Sequence, residues 1–281
     1  MNILAATDFS ELATHASAYA AEIAKLRKSK LILFNLFTPS IHALNSQFSA
    51  ENFQRMYDRT RDRLQEKADA LSKEFDIEVI AELSFISMDE ALDTLIAKHE
   101  VSLLVFGMNE KTWDIELLGD TTTAVIKNCR VPTLAVPFKA SFDHLKKILF
   151  ATDLVEELPQ PIIERIRIVA ETIGGEVEVF NVDKKVAELK AENSDALAIN
   201  AIDSGLQGIN YYYKNVKSNA VIREIEKEIK QTKADLLIMV PKKYGFGASI
   251  VHRSKTGIMA SGLNIPLLSI PVGYVPVDVL G

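Results

Sequence analysis

Two aspartates hold the most chemical promise in this chain. Asp8 follows the apolar run Asn2-Ile3-Leu4-Ala5-Ala6-Thr7, and Asp153 follows Lys147-Ile148-Leu149-Phe150-Ala151-Thr152, about half of the 281-residue chain later. A carboxylate placed after a short buried run is delivered to the carboxyl end of a parallel strand, the edge at which open α/β sheets bind ligands. The near-identity of the two runs predicts an internal duplication. A second set of polar residues follows a later apolar run in each half. In the first half these are Gly107, Glu110, Lys111 and the sequence Gly119-Asp120-Thr121. In the second they are Lys242, Lys243 and His252-Arg253-Ser254, with Val240 standing where Gly107 does.

Sequence signatures of catalysis are missing. No Gly-x4-Gly-Lys-Ser/Thr loop is present, Ser254-Lys255-Thr256 lacks the glycine frame before it, and Gly245-x-Gly247 has no third glycine at dinucleotide-binding spacing. No Gly-x-Ser-x-Gly elbow occurs. His15, His42, His99 and His144 are scattered without ligand spacing, so no metal site is expected. Asp89-Glu90 and Glu156-Glu157 lie at expected helix starts, where carboxylates complement the helix dipole.

The elements that must position these residues follow from hydrophobic period and capping residues. Ser10 is an N-cap for an alanine-rich helix that runs to Arg27-Lys28. A buried strand is predicted over 31–37, a long charged helix over 49–75, an alternating strand over 77–83, a helix over 89–99 and a buried strand over 102–107. A loop, a short helix over 120–129 and a strand over 133–136 complete the half. The order recurs in the second half: strands over 147–151, 176–182, 209–216, 234–240 and 267–270, with helices over 159–173 and 218–231. Residues 184–206 are the least periodic, so the pattern does not fix the bounds of the helix expected there. The alternation predicts α/β architecture, two tandem doubly wound five-stranded parallel-sheet domains over 1–140 and 141–281. The short join between them predicts an intramolecular pseudo-dimer.

Composition narrows the partners. A hydrophobic fraction of 48% beside 25% charged residues suits a soluble globular protein. Pro266, Pro271 and Pro276 interrupt the most apolar segment, so no membrane span is expected. The chain starts directly on a strand-like run, and the expectation is a cytoplasmic protein without a signal segment. The single Cys129 is expected to be a buried, inert thiol. A formal charge of −6 argues against nucleic acid as a partner. The acidity is concentrated in residues 1–139, which hold 15 basic and 20 acidic residues.

The Thr-Asp strand ends, the element order, and Leu118-Gly119-Asp120-Thr121 followed by Val131-Pro132-Thr133-Leu134-Ala135-Val136-Pro137 together resemble a universal stress protein domain. The chain resembles the tandem form of that family, whose fold is adenine nucleotide alpha hydrolase-like. In the nucleotide-binding branch the fourth strand ends in Gly-x2-Gly-x9-Gly-Ser/Thr, where glycines let backbone N–H groups approach phosphates and the hydroxyl residue opens a helix. The resemblance places Asp8, Leu36, Gly107, Glu110, Gly119, Asp120 and Thr121 around a first-half pocket, with the Leu36 backbone meeting adenine. Asp153, Lys242, Lys243, His252, Arg253 and Ser254 are the second-half counterparts.

Here the pattern departs from the nucleotide-binding form. Glu110 takes the second glycine position and Asp120 the hydroxyl position, while Val240 and Arg253 replace glycines in the second half. A carboxylate about 5 Å from a phosphate charge costs on the order of 3 kcal/mol at an effective dielectric near 20. The expected function is therefore a non-catalytic stress-response protein that acts through an unknown protein partner and carries degenerate nucleotide pockets. The alternative is a sensor that binds ATP, AMP or another small anion in the first half, with weak ATPase or phosphotransfer activity as a variant. In this family the last strands commonly pair across a dimer, so 133–136 and 267–270 are expected to pair antiparallel within one chain. The tail over 274–280 is expected to carry exposed apolar residues that either clamp the other lobe or seed a homodimer.

Overall fold

The computed structural model describes residues 1–38, 49–108, 129–143, 145–152, 158–183, 192–218, 220–240 and 264–274. They fall into two compact units, Met1–Gly107 and Met108–Gly281. Both are α/β units built on parallel strands, as the element order requires.

In the first unit the chain runs β1 (Asn2–Ala6), α1 (Glu11–Arg27), β2 (Leu31–Leu36), α2 (Ala50–Phe75), β3 (Val79–Ser84), α3 (Met88–His99) and β4 (Val101–Met108), whose last residue groups with the second unit. The sheet order is β3-β2-β1-β4, all parallel. β2 and β4 are buried along nearly their whole length, so their apolar runs are continuous rather than alternating. Serine hydroxyls start each helix. Ser10 accepts the Ala13 N–H at 3.1 Å, Ser49 the Asn52 N–H at 3.2 Å and Ser87 the Glu90 N–H at 3.4 Å. Only α3 was expected to begin later than it does, because Ser87 rather than the acidic pair supplies its cap. Along α2, Leu64, Ala68, Leu71 and Phe75 form the buried stripe.

The second unit contains β5 (Thr133–Pro137), β6 (Lys147–Thr152), α4 (Gln160–Ile173), β7 (Glu176–Asp183), α5 (Glu192–Gly205), β8 (Tyr211–Lys217), α6 (Val221–Thr232), β9 (Leu236–Met239) and β10 (Leu267–Ser269). Its five parallel strands lie in the order β10-β9-β6-β7-β8, so β8-β7-β6-β9 repeats the first unit's β3-β2-β1-β4. β5 runs antiparallel to β10, with Leu134 opposite Leu268, which is the pairing that the family resemblance implies. That ladder groups β5 with the second unit, although the chain position of the strand suggests the first. Gly174 ends α4 at φ +63, a left-handed conformation that glycine adopts without a Cβ clash.

Helices cover the second sheet through specific contacts. α6 sets Val221 and Ile225 into a core with Leu149, Phe180, Val182 and Leu237. Asp203 of α5 accepts the Tyr211 and Tyr213 hydroxyls at 3.0 and 2.8 Å. A helix is thus present where the sequence is least periodic, anchored by polar contacts to the tyrosines. Two expectations need correction. Cys129 is half-buried rather than buried, and Tyr274, counted among exposed tail residues, is buried with its N–H on the Pro271 carbonyl. The remainder of that tail and the helix expected from residue 120 lie outside the described residues. No helix among the described residues is long and apolar enough to cross a membrane.

Leu268 lies in a three-residue strand with neighbours on both sides and is 4% exposed. Leu268→Ala is expected to cost about 2–5 kcal/mol in urea unfolding. Leu26→Ala, at a site 49% exposed, is expected to change stability by less than about 0.5 kcal/mol.

Candidate functional site

The chain leaves β1 to pair β2 on one side, while β4 lies on the other. Such a reversal of strand order opens a crevice at the carboxyl ends, the usual ligand edge of an open α/β sheet. Asp8 and Gly107 occupy the ends of the two strands that flank it. The β1 end is fixed from within. Thr7 donates its N–H to Phe34 O at 2.8 Å, and the buried Asn35 amide donates to Thr7 O at 2.7 Å. The same residue types recur in the second unit, where buried Thr152 stands opposite buried Asn181.

Beyond Thr7 the backbone turns sharply. Phe9 adopts φ +65, an uncommon left-handed conformation for a bulky residue, and donates its N–H to the Thr7 hydroxyl at 3.1 Å. Asp8 is exposed, and its carboxylate accepts the Ser10 N–H at 2.9 Å. Ser10 then caps α1. The Asp8 carboxylate therefore belongs to the β1–α1 turn, a short-range role that aspartate side chains commonly fill.

α2 brings two cations to this turn. The Arg63 guanidinium lies 4.2 Å from the Phe9 ring centroid, a cation–π arrangement. The Lys67 ammonium hydrogen-bonds the Thr14 hydroxyl of α1. Partial burial acts to raise the Asp8 carboxyl, but hydrogen bonds from Ser10 and the Lys67 ammonium outweigh it and hold the group below the usual carboxylate range. Lys67 in turn is lowered by its own burial and by Arg63, against the pull of Asp8.

Gly107 owes its identity to packing. A Cβ at this position would sit 2.6 Å from Leu12 Cγ and 3.2 Å from Leu12 O, so α1 approaches β4 too closely for a side chain. Leu36, half-buried, is the last residue of β2 and stands opposite Ser84. The following Phe37 donates its N–H to Ser84 O at 2.6 Å. Its ring meets Phe53 and Tyr57 edge-on at 5.5 and 5.7 Å, and Phe85 packs edge-on against both. Asp8, Leu36 and Gly107 thus share the carboxyl edge of the first sheet. Glu110, Gly119, Asp120, Thr121, Asp153, Lys242, Lys243, His252, Arg253 and Ser254 lie outside the described residues. Among the described residues no cluster of three or more His, Cys, Asp or Glu side chains could hold a metal.

Phe9, Thr14, Arg63 and Lys67 were not singled out by the sequence. A signal existed: Arg63 and Lys67 are four residues apart, which places them on one face of α2 beside the buried Leu64 and Ala68.

Residues 1–137 match the universal stress protein family. A universal stress protein from Archaeoglobus fulgidus superposes with a TM-score of 0.70 at 15% identity, over 97% of this chain and 98% of that one. A protein of Pseudomonas aeruginosa described as a universal stress protein gives 0.58 at 13% identity, over 96% and 92% of the two chains. A functionally unknown Pseudomonas aeruginosa protein gives 0.56 at 13% identity, over 99% and 94%. At these identities the likeness is one of fold, and it extends across both halves. No curated protein matches the sequence.

Gly107→Ala is expected to cost about 1–3 kcal/mol in urea unfolding, because Leu12 must move. Asp8→Ala is expected to cost about 1 kcal/mol at pH 7. The Asp8 carboxyl is depressed in the folded state, so its contribution is present above the ordinary value of 3.8 and disappears as pH falls through the lower folded value. The stability difference between variant and parent should therefore close in acid denaturation series that extend below that value.

Proposed function

We propose, from the match of residues 1–137 to the universal stress protein family, that the chain is a cytoplasmic stress-response protein that catalyses no reaction and acts through contacts with a protein partner. The observation that carries this reading is that the described positions of the nucleotide motif have duties inside the fold. The Asp8 carboxylate forms the β1–α1 turn, and Gly107 makes room for Leu12. The acidic residues Glu110 and Asp120 weigh the same way, since each would repel a phosphate in the first half. A net charge of −6 leaves nucleic acid and anionic membrane surfaces as poor partners.

One observation favours a second reading. Asp8 is exposed at the ligand edge, with Lys67 and Arg63 close by. In that reading the first half senses ATP, AMP or another small anion, and occupancy alters the surface offered to a partner.

Calorimetric titration with ATP and with AMP, each with and without magnesium, separates the two. The expected result is no saturable heat and no thermal shift at millimolar nucleotide. Saturable binding near one site per chain that is lost in Asp8→Ala would overturn the first reading and establish the sensor.

A further inference from the structure

β7 carries a glutamate where its neighbours are apolar. Glu178 is 3% exposed, between Val177 and Val179, and stands opposite Leu149 of β6 on one side and Tyr212 of β8 on the other. The Tyr212 hydroxyl donates to Glu178 Oε2 at 3.3 Å. Glu178 Oε1 is buried and has no hydrogen-bond partner among the described residues. α6 sets a second buried carboxylate, Glu228, beside it, also 3% exposed. Glu228 takes the Lys214 ammonium on both oxygens, at 2.7 and 2.6 Å.

The charges of this cluster do not balance. Lys214 neutralises one carboxylate, and two are present. Two buried carboxylates that share one ammonium carry an uncompensated negative charge, and a proton is the smallest group that restores neutrality. A proton on Glu178 Oε1 would also turn the unpartnered oxygen of Glu178 into a donor, with the neighbouring Glu228 carboxylate as an acceptor. We propose that Glu178 holds a proton that it donates to Glu228, forming a carboxyl–carboxylate latch that fastens α6 to β7 and β8 and loosens when the proton leaves to solvent.

The surrounding groups support this assignment. Burial, then the charge of Glu228, push Glu178 up to about 7 against the weaker pull of Lys214, and Tyr212 is pushed up to about 12 by burial and the charge of Glu178. On β7, Glu176 adds further negative charge near Tyr212. From β6, Lys147 is directed to the Thr232 carbonyl at the end of α6. On α6, Glu224 pairs with Lys227 at 3.7 Å, and Glu226 is buried. None of these supplies a second cation to the Glu178 oxygens.

The sign of the effect follows from the raised folded value. Glu178 binds its proton more tightly folded than unfolded, so the latch is closed at the acidic end. Its contribution is lost as pH rises from the ordinary 4.5 towards about 7. The latch concerns the second unit and is independent of the function proposed for the first-half site.

The full chain and its Glu178→Gln variant are compared in urea unfolding between pH 5 and pH 8.5. Glutamine does not titrate, and its amide donates to Glu228 at every pH. The expected result is that the folded-to-unfolded ratio of the parent falls about tenfold or more, relative to the variant, across that range. Parallel pH profiles would overturn the proposal. Should the variant not fold, hydrogen exchange of the parent decides: α6 amides, corrected for intrinsic rates, must lose protection relative to α4 amides between pH 6 and pH 8. Equal protection in the two helices at both values would likewise overturn it.

Discussion

Parallel strands cannot be joined by a tight turn, and that constraint shapes both units. Each step from one parallel strand to the next needs a crossing segment long enough to return the chain to the same end of the sheet. Helices α1, α2 and α3 make these returns in the first unit, and α4, α5 and α6 in the second. The helices in turn bury the sheet faces, which is why β2, β4 and β9 are apolar at nearly every position. The reversal of strand order beside β1 and beside β6 follows from the same wiring.

Burial on both faces makes every polar side chain in these strands a matter of hydrogen bonding. Asn35 meets the demand by donating to Thr7 O, which also ties the end of β2 to the end of β1. Glu82 meets it at a half-buried position, accepting from Lys98 and pairing with His99 at 2.7 Å. Glu178 meets it at one oxygen, where the Tyr212 hydroxyl donates, and leaves Oε1 without a hydrogen-bond partner among the described residues.

Much of the architecture was legible in the sequence because it depends on local patterns. Ser10 and Ser49 marked helix starts, Gly174 marked a helix end, and continuous apolar runs marked the central strands. The antiparallel pairing of β5 with β10 was also anticipated, from family likeness rather than from pattern. The bounds of the helix over Glu192–Gly205 were not legible, since its contacts with the sheet include polar ones, from Asp203 to the Tyr211 and Tyr213 hydroxyls, that leave no periodic signal. At the candidate site, Asp8 was found from its place after a buried run and Gly107 from family likeness, whereas Phe9, Thr14, Arg63 and Lys67 were not.

The sequence by itself determined the repeat, the order of elements and the strand ends at which Asp8 and Gly107 sit, because strand period, caps and breakers act over a few residues. Only the tertiary structure decided what those residues touch. Leu12 meets Gly107 across some ninety-five positions of chain, and Glu228 meets Glu178 across fifty. Such contacts are set by helix packing on the sheet, a many-body outcome that no local pattern encodes. The charge of a buried carboxylate, and hence the chemistry open to it, is fixed by those distant partners.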